Sequence, residues 1–326
     1  MKIEIVENDE KKWRDLYKHD FTPVFRTFEW AKVALDNPKY IIARDGEELI
    51  GWMAFQEKRL TFIKIRTSCS MPIGTNDEVK LNILRFFKSL SGVNIVNTTY
   101  QDHRLSNLAF KTGFNPTEKA TVIVDLTKHE STMEFLDKDS RYDVNKAKKQ
   151  GVTVVDATID ENAWEEFFEI YDDVGKTWGV GTLNKEDFMR FKSLIPHNLV
   201  KLFVAKSGDK IASGAIILNS EDTVIFYINA SNQDIKHIQA NSILIYEIMD
   251  YAKRNGFQYF DLFGYDLFAK KNEKTYGINK FKMSFGGEVK KFYKFTNSTL
   301  FVIARKLYNK IRILKNFYFF IQRTRG

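Results

Sequence analysis

One cysteine, Cys69, stands in 326 residues, and that scarcity removes several functions at once. Neither a disulfide framework nor a cage of thiolate metal ligands can be built from it, and such a chain suits a reducing cytoplasm. Also missing is any apolar run near the roughly 20 residues that span a bilayer. The opening MKIEIVENDEKKW is charged and has no apolar centre of signal-peptide length. A cytoplasmic protein, soluble or peripheral at the membrane, is therefore expected. The five histidines (His19, His103, His129, His197 and His237) never fall at metal-ligand spacing, so no metal is expected. No G-x-S-x-G nucleophile elbow occurs, which leaves acyl-enzyme chemistry on a serine without support. Gly175-Lys176-Thr177 looks like the end of a P-loop, but Ile170 stands where its first glycine belongs.

Acidic residues are absent from one whole region. From Val289 to Gly326 there is no Asp or Glu, while ten residues are Lys or Arg. The net charge is +8, so this tail supplies more than the entire excess and the body is close to neutral. Such a tail attracts phosphates of nucleic acid or of anionic lipid. Between Leu300 and Ile321 apolar residues recur at helical spacing, and Phe317, Tyr318, Phe319 and Phe320 close the run. A basic amphipathic helix over 300–326 is expected. It would lie in a membrane interface, meet a tRNA backbone, or dock on its own domain.

What is present in quantity is core-forming material: 44% of residues are hydrophobic and 14% aromatic, enough for two domains of ordinary size. The same plan appears twice. YIIARDGEELIGWMAF (40–55) and LFVAKSGDKIASGAII (202–217) both read as strand, tight turn, strand. LNILRFFKSLSGVNIVN (81–97) and NSILIYEIMDYAKRNGFQYFDL (241–262) both read as amphipathic helix, glycine stop, strand. An α/β fold of two duplicated domains with mixed sheets follows, divided as 1–126 and 127–299 with the tail 300–326. HESTMEFLDKDSRYDVNKAKKQG (129–151) reads as a helix with a basic C-terminal end. Lys-Phe-Lys at 280–282 reads as following a glycine loop and leading into the final strand.

That order in the second half is the element order of the GNAT acyltransferases. More closely, the chain resembles the Fem family, the non-ribosomal aminoacyltransferases that add amino acids to peptidoglycan precursors. The resemblance rests on FEWAKVAL (28–35), SRYDVNKAKKQGVTV (140–154), IQANSILIYEIMDYAKRNGFQYFDLFG (238–264) and INKFKMSFGGEV (278–289). It implies two tandem GNAT-like domains, an aminoacyl-tRNA donor and an amine acceptor on a cell-envelope precursor, with no cofactor. Acyl-CoA-dependent GNAT enzymes hold a pyrophosphate on a glycine-rich loop at a helix N-terminus. Residues 234–240 here contain no glycine, which favours the tRNA donor over the alternative, acyl-CoA as cosubstrate. Thr177-Trp178-Gly179-Val180-Gly181 departs from the Thr-x-x-Arg-Asp-like run of peptidoglycan-acting members, so another amino sugar or amine is also a candidate acceptor. The long helical arm of some members has no counterpart.

By resemblance, Lys282 stabilises the tetrahedral oxyanion of aminoacyl transfer, a contribution of about 3–4 kcal/mol for such a donor. The Phe281 carbonyl is expected to help the amine lose its proton. On the residues alone, the alternative is Lys282 as an exposed strand lysine. Asp261 is either a substrate-orienting carboxylate or a loop cap, beside Gly264 and Tyr265. Gly286 and Gly287 admit either close approach to substrate or a β-bulge. Lys32 and Arg141 are candidate phosphate contacts, and Trp30, Tyr227 and Asn241 complete the expected substrate contacts. Lys146, Lys149, Lys290 and Lys291 are expected to meet tRNA.

Overall fold

The computed structural model describes residues 1–7, 23–60, 62–179, 181–235 and 238–303. Two compact units are present, Met1–Lys119 with Lys291–Gly326, and Ala120–Lys290. The chain does not change units in a linker. It does so within two strands, β7 and β13, and no turn composition marks either point. The expected divisions at 126/127 and 299/300 therefore differ from the observed ones, because a strand long enough to serve two cores carries no internal punctuation.

In the first unit, β1 (Lys2–Glu7), α1 (Phe28–Ala34), β2 (Lys39–Asp45) and β3 (Glu48–Leu60) come first. They are followed by β4 (Ile63–Ser68), β5 (Ile73–Gly74), α2 (Asp77–Ser89), β6 (Val93–Val96) and α3 (Ser106–Lys111). Strands β1 to β4 pair antiparallel in chain order, and β6 joins parallel to β4. Ile83, Leu84 and Phe87 of α2 share a core with Ile41, Met53 and Phe55 of the sheet. The helix starts cleanly because Asn76 accepts the Val79 N–H at 3.0 Å.

Strand β7 (Asn115–Asp125) leads into the second unit, through α4 (Thr132–Phe135), α5 (Lys138–Lys149), β8 (Thr153–Asp156), α6 (Glu161–Trp178) and α7 (Lys185–Met189). Next come β9 (Val200–Ser207), β10 (Lys210–Ser220), β11 (Thr223–Ser231), α8 (Ala240–Arg254), β12 (Tyr259–Asp261) and α9 (Lys274–Met283). Strand β13 (Glu288–Thr296) returns to the first unit, where Phe295 and Thr296 pair with Val96 and Ile95. Within the second unit the strand order is β8-β9-β10-β11-β12-β7, antiparallel except for the parallel pair β11–β12. Helix α8 buries Ile243, Leu244, Ile248 and Met249 against it. The plan read twice in the sequence is observed twice: hairpins β2–β3 and β9–β10, then α2–β6 and α8–β12.

Two local readings are corrected. The expected helix over 129–151 is two helices, because Asp137 leaves helical geometry and its carboxylate accepts the Ser140 N–H at 2.8 Å. That side chain restarts the helix as an N-cap. The Lys-Phe-Lys run lies inside helix α9, not at the start of the final strand. Among the described residues no helix is long and apolar enough to cross a membrane. The amphipathic helix expected at 300–326 lies, from residue 304 on, outside the described residues.

Candidate active site

Parallel pairing between β11 and β12 ends at Ile225 opposite Asp261. Beyond that point the two chains line a cavity of about 470 Å³, with Phe226 and Tyr227 on one side and Leu262 and Phe263 on the other. A cleft at the carboxyl ends of parallel strands is the usual place for a ligand in an α/β sheet. Lys282 and Phe281 of α9, and Asn241 at the start of α8, also line it.

Helix α9 is anchored at both ends. Asn279 is buried and binds the backbone of Asp266 twice, accepting its N–H at 3.1 Å and donating to its carbonyl at 2.7 Å. After the helix, the Ser284 carbonyl accepts the Asp137 N–H at 2.8 Å, and the Ser284 and Ser140 hydroxyls lie 2.6 Å apart. Lys282 is thus held in place by contacts to α5 and to the loop before α9. Its ammonium donates to the carbonyls of Phe263 and Gly264, the latter at 2.7 Å. Both acceptor residues have left-handed backbone, φ +45° for Phe263 and +74° for Gly264, a combination costly for phenylalanine. The strained turn aims two successive carbonyls at one ammonium. An ammonium has three donors, so one N–H remains for a ligand oxygen.

Burial pushes Lys282 down to about 8, against the opposing pull of Asp261. Burial likewise pushes Asp261 up to about 6, opposed by hydrogen bonds from Thr121 and the Phe263 N–H and by the Lys282 charge. Asp261 is 2% exposed. It accepts from the Thr121 hydroxyl and from the Phe263 N–H, the latter at 2.8 Å. Both sequence alternatives for Asp261 are thereby narrowed. It organises the Phe263–Gly264 turn that holds Lys282, and it is too buried to touch a substrate directly. Thr121 was missed by sequence reasoning, since a threonine in a strand carries no signal of its own.

The remaining expectations divide. The Tyr227 ring packs at a tilt against that of Phe263, their centroids 5.0 Å apart. Asn241 accepts from Asn229 at 2.8 Å and from Ser213 at 3.3 Å. Tyr265 binds back to the Ala120 carbonyl at 2.9 Å, so it fixes the loop after Gly264. Three expected roles are corrected by packing. The Phe281 carbonyl already accepts the Ser284 hydroxyl at 2.7 Å and the Ser284 N–H at 3.3 Å, which occupies both of its lone pairs. Gly286 has φ +81°, and a Cβ there would collide with the Phe135 carbonyl. A Cβ on Gly287 would collide with Val122. These glycines serve close approach to the protein's own backbone and core. Trp30 is buried in the first unit with its ring edge-on to Phe25, so it serves packing there.

The cationic candidates lie elsewhere on the two units. Lys32 sits over the Phe28 ring at 4.7 Å. Arg141 and Lys149 are exposed on α5, with Lys146 half-buried between them. Lys290 pairs with Glu288 at 2.7 Å and Lys291 with Glu118 at 3.1 Å, exposed pairs that water and salt weaken readily.

Residues 136–276 match the acetyltransferase (GNAT) domain family. No curated protein matches the sequence. Among solved structures, FemX is similar over 94% of this chain and 99% of its own, with a TM-score of 0.69 and 15% identity. L-PGS from Bacillus licheniformis is similar over 89% and 92%, with a TM-score of 0.61 and 14% identity. A tandem GNAT protein from the clavulanic acid biosynthesis pathway is similar over 90% and 98%, with a TM-score of 0.52 and 9% identity. The fold is the tandem-GNAT fold of Fem-type proteins, as the sequence resemblance implied. Residues 136–276 of the second unit carry the match to the acetyltransferase (GNAT) family, and the solved structures share its fold.

Proposed function

We propose that this acyltransferase moves an amino acid from aminoacyl-tRNA to an amine of a cell-envelope precursor, peptidoglycan or glycan. The observation that carries the reading is Lys282, a tethered ammonium with one N–H to spare, in the wall of a cavity of about 470 Å³. The acceptor amine attacks the ester carbonyl, a C–N bond forms, and negative charge gathers on the carbonyl oxygen. The Lys282 N–H stabilises that oxygen until the C–O bond to the tRNA 3′-oxygen breaks, and the proton given up by the amine ends on that oxygen as the 3′-hydroxyl. A donor fixed before the reaction costs no reorganisation when the charge develops. The likeness in fold to FemX and L-PGS supports this class of reaction.

Arg141, Lys146 and Lys149 of α5 supply cations for the tRNA backbone, and the basic 300–326 tail adds more, with contact to an anionic membrane as a further role. The test is transfer of label to an amine acceptor from either charged tRNA or acetyl-CoA. Transfer from charged tRNA is expected. Transfer from acetyl-CoA alone would replace the donor.

One observation favours acyl-CoA as the second reading. Gln239, just before α8, takes φ +57°, so the loop reaches glycine-like geometry without a glycine. A smaller cavity of about 200 Å³ lies there, between Ala212 and Gln239–Ser242. The glycine-free 234–240 segment is therefore a weaker argument against a pyrophosphate than its composition suggests.

A further inference from the structure

Among the described residues that line the larger cavity there is no Asp or Glu. Its walls are instead Trp178, Phe226, Tyr227, Ile245, Phe263 and Ile278. The polar lining groups other than Lys282 carry no charge, among them Asn229, Ser231, Gln233 and Asn241. Resting on the aminoacyl-transfer reading above, we infer that the cavity takes an acyl group whose own side chain is uncharged and apolar.

A lysyl or arginyl side chain entering here would lose its hydration and find no counter-charge. It would meet a like charge, because Lys282 stands in the wall. Asp261 offers no relief, because its carboxylate is buried and held by Thr121 and Phe263. An acidic side chain fails for a different reason. Its carboxylate would take the remaining Lys282 N–H, the donor that the oxyanion requires. An aliphatic or aromatic side chain can lie against the apolar part of the wall, Val174, Phe226, Ile245 and Ile278, and its burial is favourable in proportion to the apolar area covered. The α-amino group common to all such donors has neutral oxygen acceptors in Asn229, Ser231 and Gln233.

The experiment uses full-length protein and four non-hydrolysable 3′-amide aminoacyl-adenosines, carrying leucine, phenylalanine, lysine or glutamate, with binding read by calorimetry. The leucyl or phenylalanyl compound is expected to bind at least about tenfold tighter than the other two, a difference of about 1.4 kcal/mol. The variant Val174→Glu places a carboxylate on the half-buried α6 wall. It is expected to tighten the lysyl compound about tenfold and weaken the leucyl one. Equal or tighter binding of the lysyl compound by the parent protein overturns the inference, as does no binding of any of the four. So does a folded Val174→Glu protein with unchanged preference. Transfer from charged tRNA is scored separately: selective binding without transfer removes the aminoacyl-transfer reading and leaves the selectivity of the cavity standing.

Discussion

The Lys282 ammonium lies 2.7 Å from the carbonyl oxygen of Gly264, eighteen residues earlier in the chain. This contact turns a lysine of ordinary appearance into a fixed donor. It joins helix α9 to the turn that ends β12, and Asp261 holds that turn from below through the Phe263 N–H.

Replacing Lys282 by Met removes the N–H aimed at the oxyanion and should lower the transfer rate at saturating substrate by about 10²–10³-fold. Circular dichroism should show the fold retained. A Lys282→Met protein with undiminished rate assigns the chemistry elsewhere.

Asp261→Asn should act on pH dependence and on stability in opposite directions of benefit. Asp261 raises the Lys282 pKa, so its neutral replacement lets burial pull Lys282 further below about 8. The alkaline fall in activity should then begin at lower pH. For stability, the folded carboxyl is raised to about 6 from 3.8. Its stabilising contribution is present below about 4 and is lost as pH rises through about 6. Asn avoids that loss, so the variant should gain up to about 2–3 kcal/mol over the parent at pH 7.5 and little at pH 4, read by urea melts at both.

Gly286→Ala should destabilise by about 2–4 kcal/mol, since a left-handed backbone and a collision with the Phe135 carbonyl act together. Gly287→Ala should cost less, because its backbone is not left-handed, although its Cβ would press on the buried Val122 side chain. Equal melting of Gly286→Ala and the parent would show that the α4 segment yields.

Arg141, Lys146 and Lys149, changed together to Ala, should weaken binding of charged tRNA and flatten its salt dependence. For every phosphate no longer neutralised, the slope of log affinity against log salt should fall by about 0.7–0.9. A filter-binding series at several salt concentrations reads this. An unchanged slope would move the nucleic-acid surface off α5.

Much of this protein is encoded locally. Alternating apolar residues and the Asp45-Gly46 and Ser207-Gly208 turns define the hairpins. The helical spacing in 81–89 and 241–254 defines the helices beneath them, and the charge excess of the tail is plain from composition. These features rest on interactions between near neighbours, which periodicity reports directly. The Phe-Lys and Gly-Gly pairs were also conspicuous, but their roles were not. That Lys282 sits on a helix in a cavity wall depends on Asn279, Ser284 and the Phe263–Gly264 turn. Its pKa depends on burial and on Asp261, which in turn is held by Thr121, 140 residues away. Trp30 became core and Gly286 a backbone contact for the same reason. Desolvation and close packing are set by residues distant in sequence, so only the folded chain decides which charges are stripped of water and which surfaces meet.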